Sequence, residues 1–226
     1  MWVLEMHKKL MGLYNRLYAT YGPQNWWPAK TPFEVIVGAI LVQATAWGNV
    51  VKAIDNLKAA NLLTPERLRE VPQAQLETLI RPSGYYRVKA RKVRAFLDHL
   101  HAFHNNRLDS LFDANVPTLR KELLSIYGVG EETADSILLY AAKTPIFVVD
   151  AYTHRLLTRL GWVVGKYRYV RLQSLFMSSL PHDLHFFNEY HALIVRHGSS
   201  TCRKTPRCQT CVLLEQCSYA VDQTSQ

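Results

Sequence analysis

Residues Leu124–Asp150 read LSIYGVGEETADSILLYAAKTPIFVVD. An apolar helix end runs into Gly128-Val129-Gly130, a second helix is expected from about Glu131 to Lys143, and an extended apolar segment then delivers Asp150. A tight hairpin between helices needs residues that tolerate positive φ and a backbone free of crowding Cβ atoms, which two glycines supply. The first amides of the second helix have no intrahelical partner. Pointed outward, they make a seat for an anion such as a phosphate. GxG alone is a weak signal. GVGxxTA between two apolar helices, followed by VVDAYTHR, is far more specific.

Outward from the hairpin the chain reads as helix after helix. Val116–Tyr127 is the expected first hairpin helix. Upstream, Pro32 opens a helix through about Val42 that is too apolar all round to lie on a surface. Val50–Ala60 is amphipathic, Pro65–Glu70 and Ala74–Ile80 are short helices, and Arg81-Pro82-Ser83-Gly84 is a turn. Tyr86–His101 turns Val93, Phe96, Leu97 and Leu100 inward and carries Arg87, Lys89, Arg91, Lys92 and Arg94 on its other face. At the N-terminus Met6, Leu10, Leu13 and Leu17 keep helical spacing until Gly22-Pro23. Downstream, helices are expected over Ala151–Leu160, Tyr167–Ser179 and Asp183–Gly198. No stretch alternates apolar and polar residues long enough to argue a sheet, so the fold class is all-α.

A chain of 226 residues with 48% hydrophobic content can bury a sizeable core, and 27 Lys+Arg against 18 Asp+Glu leave a charge of +9. That balance favours a polyanionic partner, although a basic soluble protein would share it. The longest uncharged apolar run, Val35–Val42, is too short to span a bilayer, and MWVLEMHKKL lacks the pattern of a secretory signal. No membrane role is expected. The four cysteines are Cys202, Cys208, Cys211 and Cys217, a C-x5-C-x2-C-x5-C pattern. Four thiolates this close suit zinc or an iron–sulfur cluster better than a disulfide framework.

Asp150 precedes Ala-Tyr-Thr-His-Arg-Leu and is a good helix N-cap. His154, four residues on, could bond near it. A capping carboxylate is held rigidly, which also suits a group aimed at positive charge developing in a transition state. Trp26-Trp27-Pro28 lie in a loop before the apolar helix, and Trp47 is expected at that helix's end, after Gln43. Aromatic rings are usually core, but two adjacent tryptophans in a Pro-bounded loop cannot easily both point inward.

The hairpin, the Asp150 loop and the cysteine pattern together resemble the endonuclease III-like helix-hairpin-helix (HhH-GPD) DNA glycosylases, closest to the subgroup that includes 3-methyladenine DNA glycosylases. The resemblance runs from about Thr31 to Cys217. It implies two helical lobes, residues 24–144 and residues 1–23 with 145–226, and double-stranded DNA lying across the groove between them. It makes Asp150 catalytic and the backbone of Gly128, Val129 and Gly130 a phosphate clamp. It makes Trp26, Trp27 and Trp47 the pocket of a flipped base, with Trp26 and Trp47 as the sandwich. Gln43 would fill the gap left in the duplex, Tyr85 would intercalate opposite, and Arg203, Lys204 and Arg207 would meet phosphate. The cysteines would hold a [4Fe–4S] cluster, although the family's first gap is usually one residue longer. Bifunctional members carry Lys where this chain has Glu132, and a carboxylate cannot form the Schiff base of a lyase.

The expectation is therefore a monomeric, monofunctional glycosylase of base excision repair acting on alkylated purines, cytoplasmic and nucleoid-associated in a prokaryote. Its rivals are a bifunctional endonuclease III-type glycosylase/AP lyase, a mismatch glycosylase, and a non-catalytic DNA-damage-binding protein.

Overall fold

In a computed structural model, residues 2–165 and 168–224 are described, and among them there is no β-strand. The contacts divide the chain into two compact units, residues 27–144 and residues 1–26 with 145–226. The helices in chain order are α1 (Trp2–Tyr21), α2 (Pro32–Leu41), α3 (Trp47–Ala59), α4 (Pro65–Glu70), α5 (Gln73–Leu79), α6 (Tyr86–His104), α7 (Leu108–Phe112), α8 (Val116–Ser125), α9 (Glu131–Ser136), α10 (Ala151–Arg159), α11 (Tyr169–Ser179), α12 (Leu184–Ser200) and α13 (Ser218–Thr224). Tyr167, expected to open α11, lies outside the described residues.

The continuous unit, α2 to α9, is built around α2. Thr31 caps it through a bond from the Glu34 amide, Pro32 occupies its first turn, and every residue from Phe33 to Leu41 is buried. It packs on α3, on α6 and on the turn that follows α9. That turn, Ile137–Ala141, is π-helical and fully buried. The second hairpin helix is therefore regular only to Ser136 and ends before Lys143, which sits at φ 55°. The first hairpin helix stops at Ser125, earlier than Tyr127, because Ile126 turns to extended backbone. Trp47 opens α3 and does not close α2: between them Ala44 takes φ 54°, which reverses the chain.

The discontinuous unit packs α1 on α11 and α12, and α10 on α12 and α13. Its centre is aromatic. Phe147 stacks on Phe176 with centroids 3.8 Å apart, and Phe187 and Tyr190 meet that pair edge-on. The Tyr190 hydroxyl donates to the Leu10 carbonyl at 2.7 Å, so this buried polar atom is satisfied. The extended run Ile146–Val149, buried throughout, threads this core and presents Asp150 at the start of α10.

Candidate active site

In the discontinuous unit, Asp150 is the N-cap of α10. Its Oδ1 accepts from the Thr153 amide at 2.7 Å and the Thr153 hydroxyl at 2.9 Å, and the Asp150 amide donates back to that hydroxyl, completing a capping box. Oδ2 stands 3.6 Å from His191 Nε2, and the two side chains are 9% and 7% exposed. Burial alone would push the Asp150 carboxyl up, but the His191 imidazole and the two Thr153 donors outweigh it and hold the group below its ordinary value. An ionised carboxylate with one oxygen fixed by the fold and the other beside an imidazole is a rigid negative charge. The sequence pointed to His154 as a neighbour; the imidazole beside the carboxylate is His191, delivered by α12 from 41 positions downstream. Such a partner leaves no local signal.

The depressed carboxyl carries a pH prediction. Whatever Asp150 contributes as an anion is present above its unfolded value and is lost as pH falls through its lower folded value. Replacing His191 by Gln removes the main influence holding that value down. The acid limb of the activity should then move to higher pH, measured as rate against pH in both proteins. An unmoved limb would exclude His191 as the tuning group.

Cys202, Cys208, Cys211 and Cys217 are free thiols that line one pocket with Leu156, Arg159, Leu213 and Tyr219. Four thiols on one pocket are a donor set for a metal–sulfur group. Arg159 braces it: Nη1 reaches Cys202 Sγ at 3.2 Å and the Arg203 carbonyl at 2.7 Å, and Nη2 reaches the Lys204 carbonyl at 2.9 Å. Arg203, Lys204 and Arg207 themselves are exposed. The role of Arg159 was not visible in the sequence.

Trp26 belongs to this same unit, lining a cavity with Tyr14, Tyr18, Asn25, Phe186 and Glu189. Trp47, the other ring of the expected sandwich, belongs to the continuous unit. There it meets Trp27, with ring centroids 5.0 Å apart at 87°, and Trp27 also meets Tyr140 at 5.1 Å. The pair lines a cavity with Pro28, Glu34, Gly38, Val51, Asp55 and Lys58. Rings at 87° to one another do not form two parallel walls.

In the continuous unit the hairpin turns at Gly128, φ 83°, and Gly130 caps α9 with extended backbone. The Val129 amide donates to the Ile126 carbonyl at 3.1 Å, so Val129 does not offer its N–H to an anion. The remaining hairpin amides lie in the first turn of α9. The Lys92 stem lies where a Cβ on Gly128 would stand. Gly128→Ala should thus cost about 1–3 kcal/mol, from left-handed strain and displacement of Lys92, and should weaken DNA binding. Thermal melting and a binding titration check this.

Gln43, the expected gap-filling residue, is held by the hairpin. Its Nε2 donates to the Gly128 carbonyl and to Thr133 Oγ1, each at 3.0 Å, and its Oε1 accepts from Lys92 Nζ. The amide ties α2 to the hairpin. The basic face of α6 is corrected as well. Lys89 is 2% exposed with Nζ on the Leu41 and Ser83 carbonyls, and Arg94 donates to the Arg69 and Val71 carbonyls. Only Arg87 and Arg91 of the five are exposed. Burial and nearby Lys92 bring the Lys89 amine down to about 8. That suits a nucleophile chemically, but two carbonyls and the packing seal it from any substrate. Tyr85, at φ 45°, is 72% exposed at the start of α6, free to meet a ligand. Glu132 is exposed in the first turn of α9.

The sequence matches the HhH-GPD superfamily of base excision DNA repair proteins over residues 37–182. It is 46% identical over 206 residues to a Methanocaldococcus jannaschii protein named "Putative DNA repair glycosylase", covering 91% of this chain and 94% of that one. It is 31% identical to an endonuclease III of Thermotoga maritima, covering 83% of each chain. Among solved structures, a non-covalent endonuclease III–DNA complex shares the fold, with TM-score 0.83 and 23% identity over 97% of this chain and 99% of that one. A Helicobacter pylori 3-methyladenine DNA glycosylase bound to 1,N6-ethenoadenine superposes with TM-score 0.72 at 26% identity, covering 86% and 96%.

Proposed function

The chain belongs to the HhH-GPD superfamily of base excision DNA repair proteins, a family of DNA glycosylases, and on that premise we propose that it is a monofunctional glycosylase that excises alkylated purines from duplex DNA. The observation that carries this reading is a buried, ionised carboxylate at Asp150 in a chain whose hairpin helix has Glu132 where a lyase would need an amine. Lys89, the lysine whose amine is brought down, is sealed by carbonyls.

The chemistry follows from these groups. As the glycosidic C–N bond breaks, its electron pair leaves with the base and positive charge develops on the sugar. Asp150 stabilises that charge and orients a water, whose oxygen bonds to the sugar carbon while its proton passes to solvent or the departing base. A cationic alkylpurine is already a good leaving group and needs no strong general acid. The flipped base is held against an indole face, which attracts a cation; we assign this role to Trp27 and Trp47, which line one cavity. First-turn amides of α9 hold phosphate. The four cysteines would hold a [4Fe–4S] cluster that supplies structure to the loop of Arg203, Lys204 and Arg207, since hydrolysis of this bond moves no electrons. We take the protein to act as a monomer on DNA in the cytoplasm.

A second reading, an endonuclease III-type glycosylase with lyase activity, is favoured by the names of several relatives. One assay separates the two. On methylated duplex DNA, free methylpurines should appear, with strand breaks only after alkali. Breaks without alkali, or a borohydride-trapped adduct, would establish a lyase. Tight binding to abasic DNA with no release of methylated, oxidised or mismatched bases would establish a binding protein.

A further inference from the structure

A second cluster of donors lies in the continuous unit and takes no part in the proposed excision. His99 and His104 occupy the last turns of α6, and Glu122 stands on α8. Both imidazole Nε2 atoms fall on a single oxygen, Glu122 Oε1, at 2.8 Å from His99 and 2.5 Å from His104. The three donor atoms lie within 4.8 Å of one another. The side chains are 16%, 12% and 21% exposed, so packing holds them while a small ion can still reach them.

Each imidazole is oriented from outside the cluster. The His99 ring packs on Phe103 with centroids 4.7 Å apart, and His104 Nδ1 pairs with Ser110 Oγ at 3.1 Å. A hydrogen bond on the second ring nitrogen is how proteins fix a metal-binding histidine. Burial would push the Glu122 carboxyl up, but bonds from His104 and His99 outweigh it and keep it ionised at neutral pH.

Two imidazoles and a carboxylate make a donor set that favours zinc, cobalt, nickel or copper over magnesium or calcium. Metal–ligand distances of ~2.0–2.2 Å put tetrahedral donors ~3.3 Å apart, so the two imidazole–carboxylate spacings need open by less than about 1 Å to admit an ion. We propose that His99, His104 and Glu122 bind a zinc-class divalent transition-metal ion, with water completing its coordination. The ion would tie the end of α6 to α8, the first helix of the hairpin.

The test uses the full chain as purified, stripped of loosely held metal by a weak chelator and titrated with zinc chloride in a calorimeter. His104→Ala and Glu122→Gln are titrated alongside, so that uptake by the thiols, common to all three, cancels. Wild type should bind one more zinc equivalent than either variant, and zinc should raise its Tm by more than it raises theirs. In zinc-soaked crystals an anomalous peak should stand between the three side chains. Equal uptake in all three proteins, or anomalous density only at the thiols, overturns the site. If His104→Ala fails to fold, the nearly isosteric Glu122→Gln keeps the comparison decisive.

Discussion

Asp150→Asn should lower single-turnover base release by about 10²–10³-fold or more, with the fold and DNA affinity close to those of wild type. The substitution isolates charge from shape. Asparagine caps a helix about as well as aspartate, and its carbonyl oxygen can still accept the Thr153 donors that now reach Oδ1 at 2.7 and 2.9 Å. What disappears is the negative charge on a side chain that is 9% exposed. In such surroundings water screens less than in bulk, and a charge facing developing positive charge acts several-fold more strongly than it would in water. The measurement is release of free base from alkylated duplex under enzyme excess, beside a thermal melt and a binding titration. A variant that releases base at the wild-type rate would remove Asp150 from the chemistry and leave it a cap alone.

The second large effect concerns stability. Asp135 lies in α9 with its side chain fully buried, held by a two-pronged pair from Arg120 of α8: Nε to Oδ1 at 2.7 Å and Nη2 to Oδ2 at 3.0 Å. This pair clamps the two hairpin helices across the glycine turn. Arg120→Met leaves a carboxylate in the interior without its guanidinium and should cost about 3–5 kcal/mol. In a chain of this size that is a fall in Tm of roughly 6–20 °C. Arg120→Met combined with Asp135→Leu removes both charges and should recover much of the loss, because the penalty comes from stranding one charge. A double variant as unstable as the single one would show that packing, and not charge, is the source. Denaturant titration of the three proteins decides it.

The signals that the sequence carried plainly are those confined to a few neighbouring residues. The glycines of the hairpin, the continuous apolar run of α2, the apolar periodicity of α1 and α6, the Asp150 cap and the cysteine spacing depend on residues close together in the chain. Their local chemistry therefore identifies them. Helix ends were less legible. The π turn at Ile137–Ala141 and the early stop at Ser125 answer to how α2 and the hairpin pack, and α7, between Leu108 and Phe112, is too short to show a periodicity. In the α6 basic face the residue types were right and the destinations were not. A row of lysines and arginines looks solvated in sequence, yet Lys89 and Arg94 reach carbonyl groups that the fold leaves at loop ends and beside α2.

By itself, then, the sequence determined that this chain is helical, that it turns at a glycine hairpin, that a carboxylate caps α10, and that four cysteines lie close together near the C-terminal end. The tertiary structure decided the rest: that Trp27 meets Trp47, that Gln43 is bound to the hairpin, that His191 faces Asp150, and that two histidines converge on Glu122. The physical reason is range. A cap or a turn is written in adjacent side chains, whereas a pairing across tens of residues exists only once burial of the apolar faces has brought its partners together.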